Sequence, residues 1–260
     1  MKRHRAPLAL PAQAARDVLG LRGIGAPDEI DLEALIADFR ITLRRDAIGY
    51  AEGRLVRCGR RGVMTIDELA FLSEKWRFVL AHELGHFLLH EHRLDLSCFP
   101  KRSATRDEKS RSFLDEEAAS SFASVLLMPD EMVKARYERA ESPMDRARRL
   151  ASTFGVSLPT AALRVLDFTD EPCAVAYVER GVVAWCTAKR AFGVTVPKRA
   201  ELRDCGDVGG AARVVGAGAW GRAVAGVERV CEQSVALAPF DASVTMLWHE
   251  AARGVGEVAV

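Results

Sequence analysis

The chain has 260 residues, of which 49% are hydrophobic, and it carries 37 basic against 36 acidic side chains. This balance predicts a folded protein with a substantial core, and it excludes bulk electrostatic attraction to nucleic acid, anionic membranes or acidic substrates. The six cysteines have no CxxC spacing, which excludes a thiolate zinc site or thioredoxin-like motif of that type, and we interpret them as reduced.

The first half of the chain is predicted to contain short helices, a small sheet and one long apolar helix. Apolar residues recur at helical spacing over 12–19 and 31–39. Glycine and charged turns separate three predicted strands, over 41–43, 53–58 and 62–67. The apolar helix is expected to begin near residue 73 and to end near residue 90.

After the apolar helix, the pattern of the sequence changes from helical to β-rich. Residues 93–112 are polar, serine-rich and basic, and we interpret them as a mobile loop. Helices are predicted over 113–128, 145–154 and 157–166. From Pro172 onward, valine-rich runs alternate with turn signals, which indicates strands. The whole pattern predicts the α+β class.

The apolar helix contains the sequence His82-Glu83-Leu84-Gly85-His86, which has the HExxH spacing. Residues four apart lie on the same face of a helix, so both imidazoles can reach one ion. The apolar flanks indicate that the helix is buried, and buried imidazoles and carboxylates need partners. These residues therefore predict a zinc-peptidase site in which His82 and His86 bind the metal and Glu83 is catalytic.

Catalytic zinc takes three protein ligands, so a third donor must come from elsewhere in the chain. His92 would require a glycine at the position of Leu89, and His90 lies a further turn along the helix. In helical projection, Glu116 lies at the edge of the apolar face of the next predicted helix, whereas Glu117 falls in its polar sector. Glu116 is the better candidate, and Glu117 is the substitute.

The chain resembles the ImmA/IrrE family of bacterial metallopeptidases in residues 77–90 and, after a loop, in Glu116 and residues 122–129. The resemblance implies a minimal gluzincin-like domain that binds one zinc ion per chain through His82, His86 and Glu116. One departure is Ser120, where family members often have asparagine. Serine can still form a hydrogen bond to a ligand, although its reach is shorter.

We expect Glu83 to take a proton from a metal-activated water and to pass it to the leaving amine. Which side chain assists zinc in stabilising the oxyanion is left open, with His90 and His92 as candidates that are also interpretable as structural residues. In zinc peptidases of this general design an edge strand can hold an extended substrate, and the strand over 63–66 is the candidate here.

These patterns predict three regions: a zinc metallopeptidase domain over 1–130, a helix-turn-helix-like segment over 131–168, and a β-rich domain over 169–260 for sensing or substrate recognition.

The family implies cleavage of a DNA-binding, helix-turn-helix repressor in a stress or mobile-element response. Two alternatives are a metal-containing DNA-binding module without proteolysis and a toxin- or defence-associated peptidase. The segment 130–167 has seven basic and six acidic residues, and this nearly neutral balance argues against direct DNA binding. Without a signal peptide or membrane span, we expect a cytoplasmic protein.

Overall fold

The structure is a computed structural model, and it describes residues 9–49, 51–73, 75–90, 95–97, 106–137, 141–202, 211–224, 226–237 and 241–249. The backbone divides into two compact units. The first contains Met1–Tyr137 and Ser152–Ser157, and the second contains Glu138–Ala151 and Leu158–Val260. Helices and sheets occur together in the chain, as the predicted α+β class requires.

The first unit contains α1 (Ala9–Leu21), α2 (Leu32–Asp38), α3 (Glu68–Phe71), α4 (Trp76–Leu89), α5 (Arg106–Leu127) and α6 (Asp130–Lys134). Side chains fix where two of these helices begin. Asp31 accepts a hydrogen bond from the Ala34 amide at the start of α2, and Asp67 accepts one from the Leu69 amide at the start of α3. Asp67 also accepts from the Ile48 and Gly49 amides, and these hydrogen bonds hold its pKa below the usual range.

A four-stranded sheet lies beside these helices, formed by β1 (Ile41–Asp46), β2 (Gly53–Cys58), β3 (Arg61–Asp67) and β4 (Asp95–Ser97). Its order is β1-β3-β2-β4, with β1 and β3 parallel and the other pairs antiparallel. Leu55, Met64 and Ile66 are buried and contribute to the core between the sheet and α4. The prediction that the strand over 63–66 is an edge strand is wrong, because β3 is hydrogen-bonded on both sides.

The interpretation of 93–112 as a loop is wrong where it can be checked. Asp95–Ser97 forms β4, and Arg106 already begins α5, seven residues before the predicted start of that helix. The sequence signal was misleading because a helix end that is polar all round has no apolar periodicity to identify it. Residues 93–94 and 98–105 lie outside the described part of the chain.

Helices α4 and α5 pack against each other at a glycine. A Cβ atom added to Gly85 would lie 3.0 Å from Cδ1 of Phe122 and 3.2 Å from the Cα and carbonyl oxygen of Ala119. Phe122 and Leu126 on α5 are completely buried. The absence of a side chain at position 85 therefore sets how closely the two helices approach.

The second unit contains the greater part of a helix pair and the C-terminal strands. The pair is α7 (Pro143–Phe154) and α8 (Leu158–Phe168), close to the predicted ranges. The sheet has the order β6-β5-β11-β10-β8. Its strands are β5 (Cys173–Glu179), β6 (Val182–Ala188), β8 (Arg213–Gly216), β10 (Arg229–Ala236) and β11 (Ala242–Trp248), while β7 (Val194–Thr195) pairs with β9 (Arg222–Ala223). The β-rich texture predicted from Pro172 is thus observed.

The two units do not test the three predicted functional regions. The division runs through the helix pair, with Ser152–Ser157 assigned to the first unit. The assignment of 1–130, 131–168 and 169–260 to catalysis, a helix-turn-helix-like segment and sensing remains a prediction. Among the described residues, no helix combines the length and the apolar composition needed to cross a bilayer.

Replacing Gly85 with alanine is expected to lower the free energy of unfolding by about 1–2 kcal/mol. Overpacking a tight core contact costs about 1–3 kcal/mol, and the better helix propensity of alanine returns at most about 1 kcal/mol. Urea unfolding of the full chain measures the change. Gly20→Ala is the matched control, because no atom lies within 4 Å of the added methyl group in α1. It should stabilise the chain by up to about 1 kcal/mol, and equal effects of both substitutions would contradict the packing argument.

The cysteines should differ sharply in reactivity. Burial raises the pKa of the Cys173 thiol to about 11, and Glu171 adds to the shift, while burial likewise raises the pKa of Cys186 to about 11. Cys58 is exposed. Because the thiolate is the nucleophile, iodoacetamide at about pH 8 should label Cys58 and leave Cys173 and Cys186 unmodified. Peptide mass spectrometry checks this, and labelling of Cys173 as fast as Cys58 would contradict it.

Candidate metal centre

Three side chains from two helices converge on one point. The Nε2 atoms of His82 and His86 lie 3.0 Å apart. Oε2 of Glu116 lies 3.1 Å from Nε2 of His82, and Oε1 of Glu116 lies 3.3 Å from Nε2 of His86. His82 and His86 are four residues apart on α4, and Glu116 is on α5. The structure therefore brings together the three residues that the sequence analysis selected as ligands, and the ligand atoms all lie within 4.8 Å of one another.

The donor set fits a zinc ion in both chemistry and spacing. Two imidazole nitrogens and a carboxylate oxygen are donors that catalytic zinc uses. Ligand atoms bound to one tetrahedral zinc ion lie about 3.3–3.4 Å apart, as follows from bond lengths of about 2.0–2.1 Å. The observed separations of 3.0–3.3 Å are close to this value.

The environment of Glu116 favours the ionised form of its carboxyl group. His86 is completely buried, His82 is largely buried, and the Glu116 side chain is 39% exposed. Burial alone raises the pKa of the Glu116 carboxyl, but hydrogen bonds and charge from His82 and His86 outweigh burial and hold that pKa well below its usual range. Glu116 is therefore ionised at neutral pH, as a metal ligand must be.

Glu83 lies beside this cluster at the wall of a cleft. The cleft has a volume of about 440 Å³ and is lined by Ala51, Glu52, Gly53, Phe78, Val79, His82, Glu83 and Ser120. Glu83 is only 1% exposed. A Cβ atom at Gly53 would lie 2.9 Å from Oε1 of Glu83 and 2.9 Å from Cγ1 of Val79. Gly53, at the start of β2, thus lets the strand approach the carboxylate closely.

Ser120 lies next to His82, at the position where the family resemblance suggested a weakened contact. Its Oγ is 3.3 Å from Nδ1 of His82, within reach of a hydrogen bond from that ring. Serine therefore still reaches the ligand, although at the long end of the hydrogen-bond range.

The other ligand candidates occupy different positions. Nδ1 of His90 lies 3.0 Å from Nδ1 of His86, on the far side of that ring from the cluster. Among the residues described, Glu117 and His90 do not belong to a group that could hold a metal ion. His92 lies outside the described residues.

Sequence reasoning missed Gly53, Gly85 and Asp115. Gly85 gave one signal, because a glycine inside an apolar helix often marks a close contact. For Gly53 and Asp115 the sequence offered no such signal, since their importance depends on partners that are distant in sequence.

The comparisons with known proteins agree with this geometry. A family model described as peptidase M78, the IrrE N-terminal-like domain, matches residues 37–166. A solved structure of a Mycobacterium tuberculosis transcriptional regulator is similar, with a TM-score of 0.56 at 15% sequence identity, covering 96% of this chain and 93% of that one. This likeness shows a shared fold. No curated protein sequence matches the chain significantly. From the family match over residues 37–166, the chain belongs to the IrrE N-terminal-like, or ImmA/IrrE, family of metallopeptidases.

Proposed function

We propose that this chain is a zinc-dependent, site-selective endopeptidase that cleaves a regulatory protein. The observation that carries the proposal is the convergence of His82, His86 and Glu116 next to the buried Glu83 carboxylate. All four groups are accounted for by one reaction, metal-assisted peptide hydrolysis. In this reading the first unit contains a minimal gluzincin-like domain.

Each of these residues has a separate role in the proposed reaction. His82, His86 and Glu116 would hold the ion, and Ser120 would orient the His82 ring through Nδ1. When bound, zinc supplies the Lewis acidity that lowers the pKa of a coordinated water towards neutrality and polarises the scissile carbonyl. Glu83 would accept the proton of the attacking water and then donate it to the leaving amine nitrogen. Its burial keeps the carboxylate in a water-poor environment, where its interactions with a reacting group are strong.

The cleft supports an extended peptide as the substrate. Residues 51–53, where the chain enters β2, line it together with Phe78, Val79, His82 and Glu83 of α4. A peptide bond placed there would meet both apolar side chains and the reacting groups, so shape would contribute more to binding than charge.

We further propose that the target is a helix-turn-helix transcriptional repressor, cleaved in a stress or mobile-element response in the cytoplasm. Family membership supports proteolysis. The similar solved structure is titled a transcriptional regulator, which supports a regulatory context. In this proposal residues 1–130 catalyse, 131–168 form a helix-turn-helix-like segment, and 169–260 sense a signal or recognise the substrate.

Direct DNA binding by the helix pair is not part of the proposal. Arg146 is 2% exposed and forms an ion pair with Glu171. Arg164 is also buried and pairs with Asp167, while Arg149 pairs with Glu141. These guanidinium groups form ion pairs within the protein, so they contribute little to neutralising phosphates.

The direct test is cleavage of a candidate repressor by the purified full chain carrying one equivalent of zinc. Helix-turn-helix repressors from the same genome are the substrates, beginning with any encoded beside this chain. We expect discrete fragments, loss of cleavage with a chelator, and recovery when zinc is returned. If the zinc-loaded chain cleaves none of them and instead shifts promoter DNA at physiological salt, the non-proteolytic DNA-binding alternative is correct.

Glu83→Gln should abolish cleavage and retain the metal. Removing the proton acceptor is expected to lower kcat by about 10²–10⁴-fold, the usual contribution of a general base. Metal content by mass spectrometry should stay at one zinc per chain, because the substitution leaves all three ligands in place. The control is Glu33→Gln on α2, outside the cleft, where the acid is exposed and pairs with Arg45; it should leave cleavage unchanged. A Glu83→Gln protein that cleaved at the normal rate would refute the mechanism.

Glu116→Gln and Glu117→Gln form a matched pair on α5. Glu116→Gln removes a charged ligand, and we expect zinc affinity to fall by more than the roughly 10–100-fold typical of changes outside the ligand shell. Glu117→Gln alters the neighbouring acid and should leave affinity within a factor of about two. Competition with a chromophoric chelator measures both. Equal losses in the two variants would show that Glu116 is not a ligand.

A further inference from the structure

We propose that His90 and Asp115 form a hydrogen-bonded relay behind His86 that fixes the ring of this metal ligand. The inference rests on the proposed function, since it assigns a positioning role to residues next to the proposed zinc site. Neither residue contributes to the cluster of ligand atoms itself. Their role would be to determine which His86 nitrogen is free to bind and how the ring is oriented.

The relay consists of two consecutive contacts, from His86 to His90 and from His90 to Asp115. Nδ1 of His86 lies 3.0 Å from Nδ1 of His90. Nε2 of His90, at the other side of its ring, lies 3.3 Å from Oδ1 of Asp115. The His86 side chain is completely buried, that of His90 is 7% exposed and that of Asp115 is 20% exposed. Water therefore has little access to the two imidazole contacts, and their polar atoms depend on each other.

Metal binding determines the proton positions along this line. Nε2 of His86 faces His82 and Glu116, so it must present a lone pair to the ion. A neutral His86 ring then carries its proton on Nδ1 and donates it to Nδ1 of His90. His90 in turn carries its proton on Nε2, which points at the Asp115 carboxylate. Each donor has an acceptor, and only this pair of tautomers satisfies both contacts while leaving Nε2 of His86 free.

Helix geometry explains why these residues meet. His90 caps the C-terminal end of α4 directly after Leu89, and its amide still donates to the His86 carbonyl, so its side chain remains one turn from His86. Asp115 and Glu116 are consecutive on α5, so their side chains point about 100° apart. As a result, Glu116 reaches the metal cluster while Asp115 reaches the histidine behind it.

The two histidine ligands are thus supported differently. His82 contacts a serine hydroxyl at the wall of the open cleft. His86 contacts an imidazole that a carboxylate holds in turn. A carboxylate behind a ligating histidine fixes its tautomer and strengthens its donation to the metal, and such partners typically contribute about 10–100-fold in metal affinity.

The experiment measures zinc affinity in full-length variants by chelator competition, after circular dichroism has shown that each is folded. His90→Leu and Asp115→Ala, which interrupt the relay, should each lower affinity by about 10–100-fold. His90→Asn places an amide oxygen near the position of Nδ1, and Asp115→Asn keeps an acceptor, so both should recover part of the loss. Replacing zinc with Co²⁺ should give a shifted absorption spectrum in His90→Leu, because the ligand field changes.

Leu84→Ala is the structural control. Leu84 is completely buried on α4, and it is two residues from each histidine ligand, on the opposite face of the helix. It should destabilise the chain by about 2–5 kcal/mol while zinc affinity and the cobalt spectrum stay unchanged.

Two outcomes would overturn the relay. One is unchanged zinc affinity and cobalt spectrum in folded His90→Leu. The other is loss in His90→Leu and His90→Asn alike, which would mean that packing of the ring, and not its hydrogen bonds, matters. If the unmodified chain itself bound no divalent ion, the proposed function would fail instead, so the two failures are distinguishable.

Discussion

The close contact between α4 and α5 at Gly85 is the constraint on which the site depends. His82 and His86 are on one helix and Glu116 is on another, so three ligand atoms can meet only if the helix axes come close together. Ala119 and Phe122 lie against Gly85, three and six residues after Glu116 on α5. A side chain at position 85 would require these neighbours to move, and with them the helix that carries Glu116. The packing of α4 against α5 and the meeting of the three side chains therefore depend on the same close contact.

A second close approach, between β2 and α4, gives the two carboxylates different environments. Gly53 brings the strand against Glu83, which is almost completely buried, whereas Glu116 is partly exposed and faces two imidazoles. The charge on Glu116 is stabilised by its partners, as its lowered pKa indicates. Glu83 instead lies against Gly53 at the cleft. In the proposed mechanism the two carboxylates have different tasks, Glu116 holding an ion and Glu83 transferring protons.

The sequence predicted the local features of the site and missed those that depend on partners distant in the chain. Helical spacing is sufficient to predict that His82, Glu83 and His86 lie close together, because four residues make about one turn whatever surrounds the helix. Projection also ranked Glu116 above Glu117. By contrast, the order of the sheet could not be read from its strands: β3 has the alternating pattern of a half-buried strand, and only pairing with β1 and β2 makes it internal. The polar beginning of α5 was read as a loop for the same reason, since a solvated helix end shows no periodicity. For His90 the sequence leaves open a metal ligand, a side chain that assists zinc or a structural residue, and its contact with Asp115 can be seen only in the structure.

The helix pair illustrates why a count of charges is a weak guide to a partner. The sequence over 130–167 has almost equal numbers of basic and acidic residues, and the structure shows that several of them form ion pairs within the protein. Arg146 and Arg164 are buried, and each forms an ion pair, so their charges are not displayed to solvent. Removing one partner of a buried pair is costly because the other charge stays buried and uncompensated. A DNA-binding surface needs cations that are free to exchange water for phosphate, and these arginines are not. The charges of these two arginines therefore give no support to the DNA-binding alternative.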